Sequence, residues 1–591
     1  MPFHHDDLNK HIMEQLAIRP VLTRVIYLLV FVIIAGNNGL FAQVQKPDYT
    51  SKVPHFVFPN TLEEQEAALK TNPLLARLHA SRKKMSADKF RPVYHYVNPE
   101  GRLNDPNGLC YWQGNWHLFY QAYPPEDPRQ HWGHAVSKDL VHWHDLPYAI
   151  YPNPEKQVYS GSTLVEDDRV IAMYHGTGVG NMVAVSDDPL LLNWEKVSGH
   201  AVVPSVSTTG FQLPYSVFDP SIWKKDGVYY SLSAGRAPSE IGNRPVRANY
   251  LFRSKDLANW EYMHEFIEGD RFTLTGDDGA CPYFWPIGDR YIMPFFSHMS
   301  GGQYLLGDYD KKRDKFMVTS AGKFNHGAVS PSGIHAPSAT PDGKGGVVVI
   351  FNMNPGKPTE GWNQIMSLPR RLTLLSRDEI GQEPAGDMEP LRYDAKHISA
   401  MKLPANKEII LKNIKGNAME ISAEIDLKNA QLVELNVLRS PDKQEYTRIV
   451  FYKEKGMSQG LNYTAGEQTA YMPHDLVKLF TSDTSNLSSG RFNPRASLIS
   501  IESSNASILP DVLIRPHETA PVVLGKDETL KLRIFIDKSV LEVFVNGRQC
   551  VATRVYPGRD DSIGVSVRSQ GSDAELKSLD AWQMKSIYPA E

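Results

Sequence analysis

The stretch QGNWHLFYQAY (113–123), a polar turn followed by an apolar and aromatic strand, decides the fold, because four other segments share its design. These segments are EDDRVIAMYHG (166–176), KKDGVYYSLSAG (224–235), IGDRYIMPFFSH (287–298) and GKGGVVVIFNMN (343–354). Their turn markers are Gly114, Asp168, Gly227, Asp289 and Gly345, spaced by 54, 59, 62 and 56 residues. A strand-built repeat of this period is typical of a propeller, in which each repeat forms one four-stranded sheet.

A second repeat runs out of phase with the first. The segments SKDLVHW (137–143), SDDPLLLNW (186–194) and SKDLANW (254–260) each place a Ser-x-Asp turn before a tryptophan. Two superimposed repeats favour radial repetition over an ordinary sandwich or meander. The sequence therefore predicts an all-β fold, with a five-bladed β-propeller over residues 91–390.

The first strand of each propeller blade lines the central axis, and these strands precede the five turns. Counting back eight to ten residues from each marker gives Asp105, Ser160, Asp219, Ala280 and His335. We expect these five positions to line one pocket. Two carboxylates that face one cavity are the groups used to cleave glycosidic bonds.

The remaining regions have different patterns. Residues 43–90 form an N-terminal helical and linker segment, with helical character over 61–87 and a break at Pro73. Residues 391–404 read as a linker, and residues 405–591 alternate in short strands, which predicts a β-sandwich. Glu542, in DKSVLEVFVNGR (537–548), is a potential site carboxylate, although a solvent-facing strand position is the simpler interpretation.

The N-terminus has the layout of a signal peptide over residues 1–42. Arg19 and Arg24 precede an apolar run from Val25 to Ala35, and small residues end at Ala42. The run is short for a membrane span, so we expect cleavage and a secreted or periplasmic protein, with an uncleaved anchor as the alternative. After cleavage no membrane association is expected.

Composition narrows the class of partner. The 63 basic and 67 acidic residues give a net charge of −4, and no block of Lys or Arg dominates, which argues against nucleic acid. Aromatic residues make up 10% of the chain, enough to stack on an uncharged small-molecule or oligosaccharide substrate. The three cysteines form no disulfide framework, and no His/Cys cluster predicts a metal site. No particular oligomeric state is indicated.

Several motifs resemble one known family. LNDPNGLCYWQGNWHLFYQAYP (103–124) and HWGHAVSKDLVHW (131–143) closely resemble the start of glycoside hydrolase family 32, the invertases, inulinases and levanases. Further resemblances lie in VYSGST (158–163), VFDPSIWKKDGVYY (217–230), ACPYFWPIGDRYIMPFFSH (280–298), GWNQIMSLPRRLTL (361–374) and LRIFIDKSVLEVFVNG (532–547). The resemblance implies a five-bladed propeller with a sandwich, and a retaining mechanism on β-fructofuranosides.

The resemblance also implies roles for individual residues. Asp105 would be the nucleophile, and Asp219 would hold sugar hydroxyls and stabilise the transition state. No metal or organic cofactor is implied. The positions that match the family's sugar pocket are Asn104, Gln121, Trp132, Tyr159 and Ser160.

Four departures from the family pattern fall in the same pocket. The general acid, the Glu of Glu-Cys-Pro, is replaced by Ala280, while the following Cys and Pro stay in register. The Arg of Arg-Asp-Pro is Phe218, the Trp before Asn-Asp-Pro is replaced at Arg102-Leu103, and GIHAP (333–337) has His335 in place of Tyr. These changes indicate a remodelled sugar site.

Three interpretations of the missing acid follow. In the first, Asp278 shares a strand face with Ala280 and donates the proton, with Asp277 the weaker candidate; the simpler interpretation of both is a surface turn. In the second, His335 is the acid, since its intrinsic pKa suits the task; the simpler interpretation is a hydrogen bond to substrate or backbone. In the third, the chain is a non-catalytic carbohydrate-binding protein. We expect a secreted glycosidase acting on a β-fructofuranoside or related furanoside.

Overall fold

The computed structural model describes residues 48–207, 211–238, 245–272, 274, 276–455, 497–525 and 527–588. The predicted signal peptide, residues 1–42, lies outside these ranges. Within the described ranges, no helix has the length and apolar character needed to cross a membrane.

Two helices open the described chain: α1 (Leu62–Lys70) and α2 (Pro73–Met85). They are separated at the predicted break before Pro73. The side chain of Asn72 accepts a hydrogen bond from the Leu75 amide at 3.0 Å and so caps α2, where proline fits because the first amide needs no helical partner. Arg82 of α2 forms two hydrogen bonds with Asp145, at 2.7 and 2.6 Å, and ties the helix to the first sheet.

Five largely antiparallel sheets follow one another along the described chain and form a propeller-like domain. Their strands are, in sheet 1, β1 (Arg102–Trp112), β2 (Asn115–Tyr123), β3 (His131–Ser137) and β4 (Trp143–Ile150); in sheet 2, β5 (Val158–Val165), β6 (Val170–Gly176), β7 (Gly180–Ser186), β8 (Glu195–Lys196) and β9 (Val203–Pro204); in sheet 3, β10 (Pro220–Lys225), β11 (Val228–Ala237), β12 (Val246–Ser254) and β13 (Glu261–Glu265); in sheet 4, β14 (Ile267–Glu268), β15 (Trp285–Ile287), β16 (Arg290–Ser297), β17 (Gly301–Asp310) and β18 (Lys315–Lys323); in sheet 5, β19 (Ile334–Pro341), β20 (Val347–Met353), β21 (Ile365–Met366), β22 (Arg370–Ser376) and β23 (Glu379–Pro384).

Both sequence repeats correspond to hairpins of these sheets. The five turn markers lie between the inner strand of each sheet and the strand that follows it, and Gly114 and Gly227 have φ angles of 82° and 77° that favour glycine. The second repeat lies before the outer strand in sheets 1 to 3. In sheet 1, for example, the Asp139 side chain accepts a hydrogen bond from the Val141 amide at 2.9 Å, and the Trp143 indole donates to the Leu140 carbonyl at 3.2 Å.

The inner strands surround a common axis. Strand β1 packs against β5 and β19, β5 packs against β10, and β15 packs against β19. Sheets 3 and 4 are joined by an apolar cluster that includes Leu232 and Met293. The N-terminal ends of the inner strands therefore meet at one end of the ring.

The C-terminal strands form two packed sheets. They are β24 (Arg392–Ile398), β25 (Met401–Leu403), β26 (Glu408–Lys415), β27 (Ala418–Asp426), β28 (Leu432–Arg439), β29 (Thr447–Tyr452), β30 (Ser497–Glu502), β31 (Glu518–Val522), β32 (Leu530–Asp537), β33 (Val540–Val545), β34 (Gln549–Arg554), β35 (Gly564–Gln570) and β36 (Ala574–Met584). One sheet has the order β24-β36-β27-β32-β33-β34 and the other β26-β35-β28-β29-β30-β31.

The facing apolar side chains of these two sheets form one core, which includes Ile421, Leu435 and Val543. Each of the three is almost fully buried. The prediction of an all-β fold, with a propeller-like domain followed by a β-sandwich, is therefore confirmed.

Residues 391–404, expected to be a linker, contain β24 and β25, which both pair with β36. Most side chains of β24 are exposed because it is the outermost strand of its sheet. Polar and charged residues suit such an edge, since they discourage pairing with another chain. The same polarity makes the segment look like a linker in the sequence.

The simpler interpretation of the sequence, that Glu542 faces solvent, is wrong. Glu542 lies fully buried on β33, where the sandwich packs against the propeller-like domain. Its carboxylate accepts hydrogen bonds from the Leu368 amide at 2.7 Å and from Arg370 at 2.9 Å, and lies 3.2 Å from Nε2 of His95. A buried charge needs such partners, so Glu542 joins the two domains.

Candidate active site

Asp105 lies near the start of β1, at the end of the ring where the inner strands meet. The pairing of β1 with β2 shifts register between Leu103 and Pro106, an irregularity of the kind that re-aims a side chain. Asp105 is only 7% exposed. The carboxylate is thus largely buried, with only a small part of the residue open to solvent.

The Asp105 carboxylate receives hydrogen bonds from three other strands. Ser160 and Gln121 donate to Oδ2 at 2.8 and 3.1 Å, and Nδ1 of His335 lies 3.0 Å from Oδ1. Burial alone would raise the pKa of Asp105, but the bonds from His335, Ser160 and Cys281 hold it below its usual value. The arrangement keeps Asp105 ionised, which is the state that a nucleophilic carboxylate requires.

Asp219 lies just before β10 and is also 7% exposed. Its Oδ2 accepts a hydrogen bond from the backbone amide of Cys281 at 2.9 Å. Burial raises the pKa of Asp219 to about 6; the Cys281 amide opposes this shift, and the charge of Asp105 adds to it. The two carboxylates therefore have different protonation behaviour in one pocket.

Cys281 links the two carboxylates. Its Sγ lies 3.5 Å from Oδ2 of Asp105 and 3.5 Å from Oδ2 of Asp219, so these oxygens are no farther apart than twice that distance. Burial, followed by the two negative charges, holds the pKa of the thiol well above its ordinary value. Cys281 is therefore a neutral thiol whose single proton can be donated, weakly, to one carboxylate or the other.

Ala280 occupies an apolar site. It is 4% exposed, its carbonyl accepts a hydrogen bond from the Phe296 amide at 2.8 Å, and it forms a cluster with Cys281, Phe296 and Ala336. Phe218, which stands where the family has arginine, packs against the same cluster. The two positions where the resemblance predicts a general acid and an arginine thus carry apolar side chains.

Asp277 and Asp278 are 1% and 5% exposed, so they do not form a surface turn, contrary to the simpler interpretation of the sequence. Asp277 accepts hydrogen bonds from Ser297 and Ser300, both at 2.6 Å, and holds the turn after β16. Such contacts are structural.

Asp278 makes different contacts. It lies 2.6 Å from Nδ1 of His298, accepts from the His298 amide at 3.1 Å and lies 3.7 Å from Arg236. Burial would raise the pKa of Asp278, but the His298 hydrogen bonds lower it below its usual value. The carboxylate is therefore ionised rather than poised to give up a proton.

His335 belongs to the Asp105 side of the pocket. Besides Asp105, its Nδ1 lies 3.3 Å from the Asn352 amide nitrogen. Its ring centroid is 4.0 Å from that of Phe296. His335 is thus placed to orient the Asp105 carboxylate.

The five positions matched to the sugar pocket differ in depth. Asn104 and Tyr159 are partly exposed, whereas Gln121, Ser160 and Trp132 are buried. Gln121 accepts a hydrogen bond from Asn104 at 2.9 Å and donates to Ser160 at 2.7 Å. Trp132 is fully buried and donates to the Tyr159 carbonyl at 2.9 Å, so it shapes the pocket from beneath.

Three polar residues of the site are not indicated by the sequence motifs. His298 contacts Asp278, while Asn352 and Gln364 hydrogen-bond to Oδ1 of Asn104 at 3.3 and 3.0 Å. All three lie in segments already singled out, namely the fourth and fifth repeats and GWNQIMSLPRRLTL. In the described residues, no group of three or more His, Cys, Asp or Glu side chains is arranged to hold a metal ion.

Comparisons with known proteins identify the family. The model of the "Glycosyl hydrolases family 32 N-terminal domain" matches residues 95–384, and that of the "Glycosyl hydrolases family 32 C terminal" matches residues 387–583. The levanase of Bacillus subtilis (strain 168) is 27% identical over 543 residues, covering 85% of this chain and 71% of the levanase. The sucrose-6-phosphate hydrolase of Escherichia coli is 27% identical over 546 residues, covering 84% of this chain and 96% of that enzyme.

Among solved structures, fructan 1-exohydrolase IIa from Cichorium intybus superposes with a TM-score of 0.69 at 20% identity, covering 84% of this chain and 98% of that one. This likeness concerns the fold. Since family models match both its propeller-like and its sandwich domain, the chain belongs to glycosyl hydrolase family 32, a family of glycosidases.

Proposed function

We propose that this chain is an exported retaining glycosidase that hydrolyses a β-fructofuranoside, such as sucrose, inulin or levan, or a related furanoside. The observation that carries the proposal is the pair of buried carboxylates, Asp105 and Asp219, on either side of the Cys281 thiol. Asp105 is kept ionised, and the pKa of Asp219 is raised to about 6. A sugar-binding protein without catalysis would have little need of an ionised nucleophile such as Asp105, held in place by its neighbours.

In the proposed reaction, a carboxylate oxygen of Asp105 attacks the anomeric carbon and forms a covalent glycosyl-enzyme ester, which water then hydrolyses. Ser160 and Gln121 support this role because they fix the attacking carboxylate. Asp219, ionised above a pH of about 6, accepts hydrogen bonds from sugar hydroxyls and stabilises the positive charge that develops on the ring.

The substrate class is supported by the family and by the polar side chains around Asp105. The compared relatives are named levanase and sucrose-6-phosphate hydrolase. Asn104 and Tyr159 are the partly exposed members of the predicted sugar pocket, which suits them to bind hydroxyls. Phe218 offers an apolar surface where the family has arginine. We therefore also propose, as substrates, furanosides that lack the hydroxyl group that this arginine would bind.

The proton donor must lie outside position 280, because Ala280 has no ionisable group. Asp278 and His335 are the donors proposed from the sequence. Each is already engaged by another group, Asp278 by His298 and His335 by Asp105.

Export is supported by the charged and apolar pattern of residues 1–42. We propose cleavage near Ala42. Expression of the full chain in a secreting bacterium, followed by N-terminal sequencing of the exported protein, tests this directly; a protein retained in the membrane with an intact N-terminus would instead support an uncleaved anchor.

The activity is tested with purified wild type and the Asp105→Asn variant on sucrose, inulin, levan and other furanosides. The matched control is Asp168→Asn, which changes an exposed carboxylate in a hairpin turn. We expect turnover by wild type and control, loss by Asp105→Asn, and a product that retains its anomeric configuration. Binding of a sugar without turnover by the wild type would support the non-catalytic alternative.

A further inference from the structure

Asp278 and His298 face each other across the two segments that flank the site in sheet 4. Ala280 pairs with Phe296 in an antiparallel bridge. Counting two residues outward on each segment gives Asp278 opposite His298. The pair therefore lies next to the bridge that holds Ala280.

We infer that His298, held by Asp278, is the proton donor for the leaving group and the base for the attacking water, replacing the acid that is missing at Ala280. This inference rests on the proposed glycosidase function and deepens it. Asp278 becomes a positioning residue, since it acts through His298.

The ring of His298 lies close to the reacting groups and is open to a ligand. Its centroid is 5.1 Å from that of Phe296 and 5.8 Å from that of His335, which itself contacts Asp105. The His298 side chain is 66% exposed. One imidazole ring thus separates Asp105 from His298, and a leaving group can reach His298 from solvent.

Two hydrogen bonds orient His298. Asp278 engages Nδ1 at 2.6 Å and the backbone amide at 3.1 Å, whereas the described residues supply no hydrogen bond to Nε2. A carboxylate on Nδ1 fixes the tautomer and leaves Nε2 to exchange a proton with the substrate. This is the arrangement in which histidine serves as a general acid or base.

The charges around His298 favour its protonated form. The hydrogen bond that His298 donates to Asp278 raises the pKa of His298 above its ordinary value; burial opposes this, and the charges of Asp278, Asp105 and Asp219 add to it. Arg236, 3.7 Å from Asp278 and more than half exposed, and the ring of His335 are the other titratable groups that face the pair. These surroundings therefore favour the imidazolium, the form that has a proton to give.

The proposed exchange conserves atoms and charge. As an Asp105 oxygen bonds to the anomeric carbon, the bond from that carbon to the leaving oxygen breaks, and the Nε2 proton passes to this oxygen to form a neutral alcohol. Neutral His298 then takes a proton from water while the water oxygen bonds to the anomeric carbon. The ester bond breaks, Asp105 is again a carboxylate, and His298 is again an imidazolium.

The other candidates are less suited to the role. The contacts of Asp278 keep it ionised, so it has no proton to donate at neutral pH. His335 lies 3.0 Å from the Asp105 carboxylate, closer than the roughly 5–5.5 Å that separates the two catalytic groups of retaining enzymes. His298 is the more exposed of the two, at 66% against 13% for His335.

The test uses β-furanosides of one sugar with leaving groups of graded acidity, from an alcohol or sugar to a nitrophenol. The variants are His298→Gln and Asp278→Asn. The matched control is His397→Gln, because His397 forms a similar exposed pair with Asp580, at 2.7 Å, in the sandwich.

For His298→Gln we expect kcat/KM to fall about 10²–10⁴-fold on alcohol leaving groups, the usual contribution of general acid catalysis. On nitrophenyl substrates, which leave without a proton, the first step should change by less than about 3-fold, by the same reasoning. In His298→Gln the alkaline limb of the pH profile of kcat/KM should disappear. In Asp278→Asn that limb should move to lower pH, because the partner that raises the pKa of His298 is gone.

The outcomes separate the two proposals. Equal losses of kcat/KM on all leaving groups, or an unchanged alkaline limb, in His298→Gln would overturn the role of His298. The proposed function would still stand if the activity depends on Asp105. Turnover that survives Asp105→Asn, or its complete absence in the wild type, overturns both. The control His397→Gln should match the wild type.

Discussion

Nδ1 of His335 lies 3.0 Å from Oδ1 of Asp105, so a histidine of sheet 5 directly supports the carboxylate of sheet 1. Burial raises the pKa of Asp105, and this hydrogen bond is the largest of the influences that lower it. The resemblance to the family predicts a tyrosine in the position of His335. His335 therefore supplies electrostatic support to the proposed nucleophile itself.

Replacing His335 with phenylalanine should raise the pKa of Asp105, because burial would then outweigh the remaining bonds from Ser160 and Cys281. We expect kcat/KM to fall mainly on the acid side of the pH profile, with a smaller loss at higher pH where Asp105 ionises again. Steady-state pH profiles of His335→Phe and of His335→Asn, which keeps a donor, check this. A loss that is the same at every pH would contradict it.

Asp219 should contribute to activity but reduce stability. Its folded-state pKa of about 6 is above the ordinary value of 3.8, because the folded protein favours the protonated carboxyl. The stabilisation of the fold by this protonated form is complete below about pH 4 and is lost as the pH rises through 6. Above a pH of about 6, Asp219→Asn should therefore be more stable than the wild type by up to about 3 kcal/mol, yet inactive. Denaturant unfolding at about pH 4 and about pH 8 measures the difference on either side of this titration.

The same shift predicts the acid limb of catalysis. Activity of the wild type should fall as the pH drops below about 6, where Asp219 takes up a proton and no longer stabilises positive charge on the sugar. The pH dependence of kcat/KM measures this pKa in the free enzyme. An acid limb near the ordinary carboxyl pKa of about 4 would show that Asp219 titrates normally.

Much of the fold is predictable because its signals are local. The turn markers, such as Gly114 and Gly227, lie in hairpins whose geometry depends on a few neighbouring residues. The register of the inner strands then predicts Asp105 and His335 in one pocket, although their sequence separation is 230 residues. Repetition of one local pattern thus carries information on distant contacts.

Features that depend on pairing between strands are not predictable in this way. The contact between His298 and Asp278 cannot be predicted from the sequence. It follows from the bridge between Ala280 and Phe296, which no turn signal marks. The burial of Glu542 cannot be predicted either. Alternation along a strand shows which residues share a face, but it does not show that a second domain covers that face.

The interface around Glu542 should make stability depend on pH. Burial lowers the pKa of His95, but its hydrogen bonds to Asp537 and Glu542 outweigh this and raise the pKa to about 9. A raised pKa means that this stabilisation is complete below about pH 6.5 and is lost as the pH rises through about 9. The change is on the order of 3 kcal/mol.

Thermal unfolding between about pH 6 and about pH 10 tests this for the wild type and His95→Gln. The wild type should lose stability over this range, while His95→Gln should start lower and change less. Charged groups that contact the interface, including Arg370, stay in both proteins. The control His397→Gln should follow the wild type, and a parallel decline in His95→Gln would show that another group titrates.

Restoring the family's acid at position 280 should not restore family-type catalysis. A glutamate there would enter the cluster of Phe296, Ala336 and Phe218 and bring a third carboxylate near Asp105 and Asp219. Overpacking of a filled site costs about 1–3 kcal/mol, and an unpaired buried charge adds to this. We expect Ala280→Glu to lower the melting temperature and to leave fructan turnover no higher than in the wild type.

The variant Ala280→Gln separates the two causes, because glutamine has nearly the shape of glutamate without the charge. At a pH of about 8 Ala280→Glu should be less stable than Ala280→Gln, and the gap should close as the pH falls and the carboxyl is protonated. Melting temperatures across this range measure the gap. A gain of fructan turnover by Ala280→Glu with no loss of stability would show instead that the pocket still accommodates the family acid, and that Phe218 and His335 have not reorganised the site around its absence.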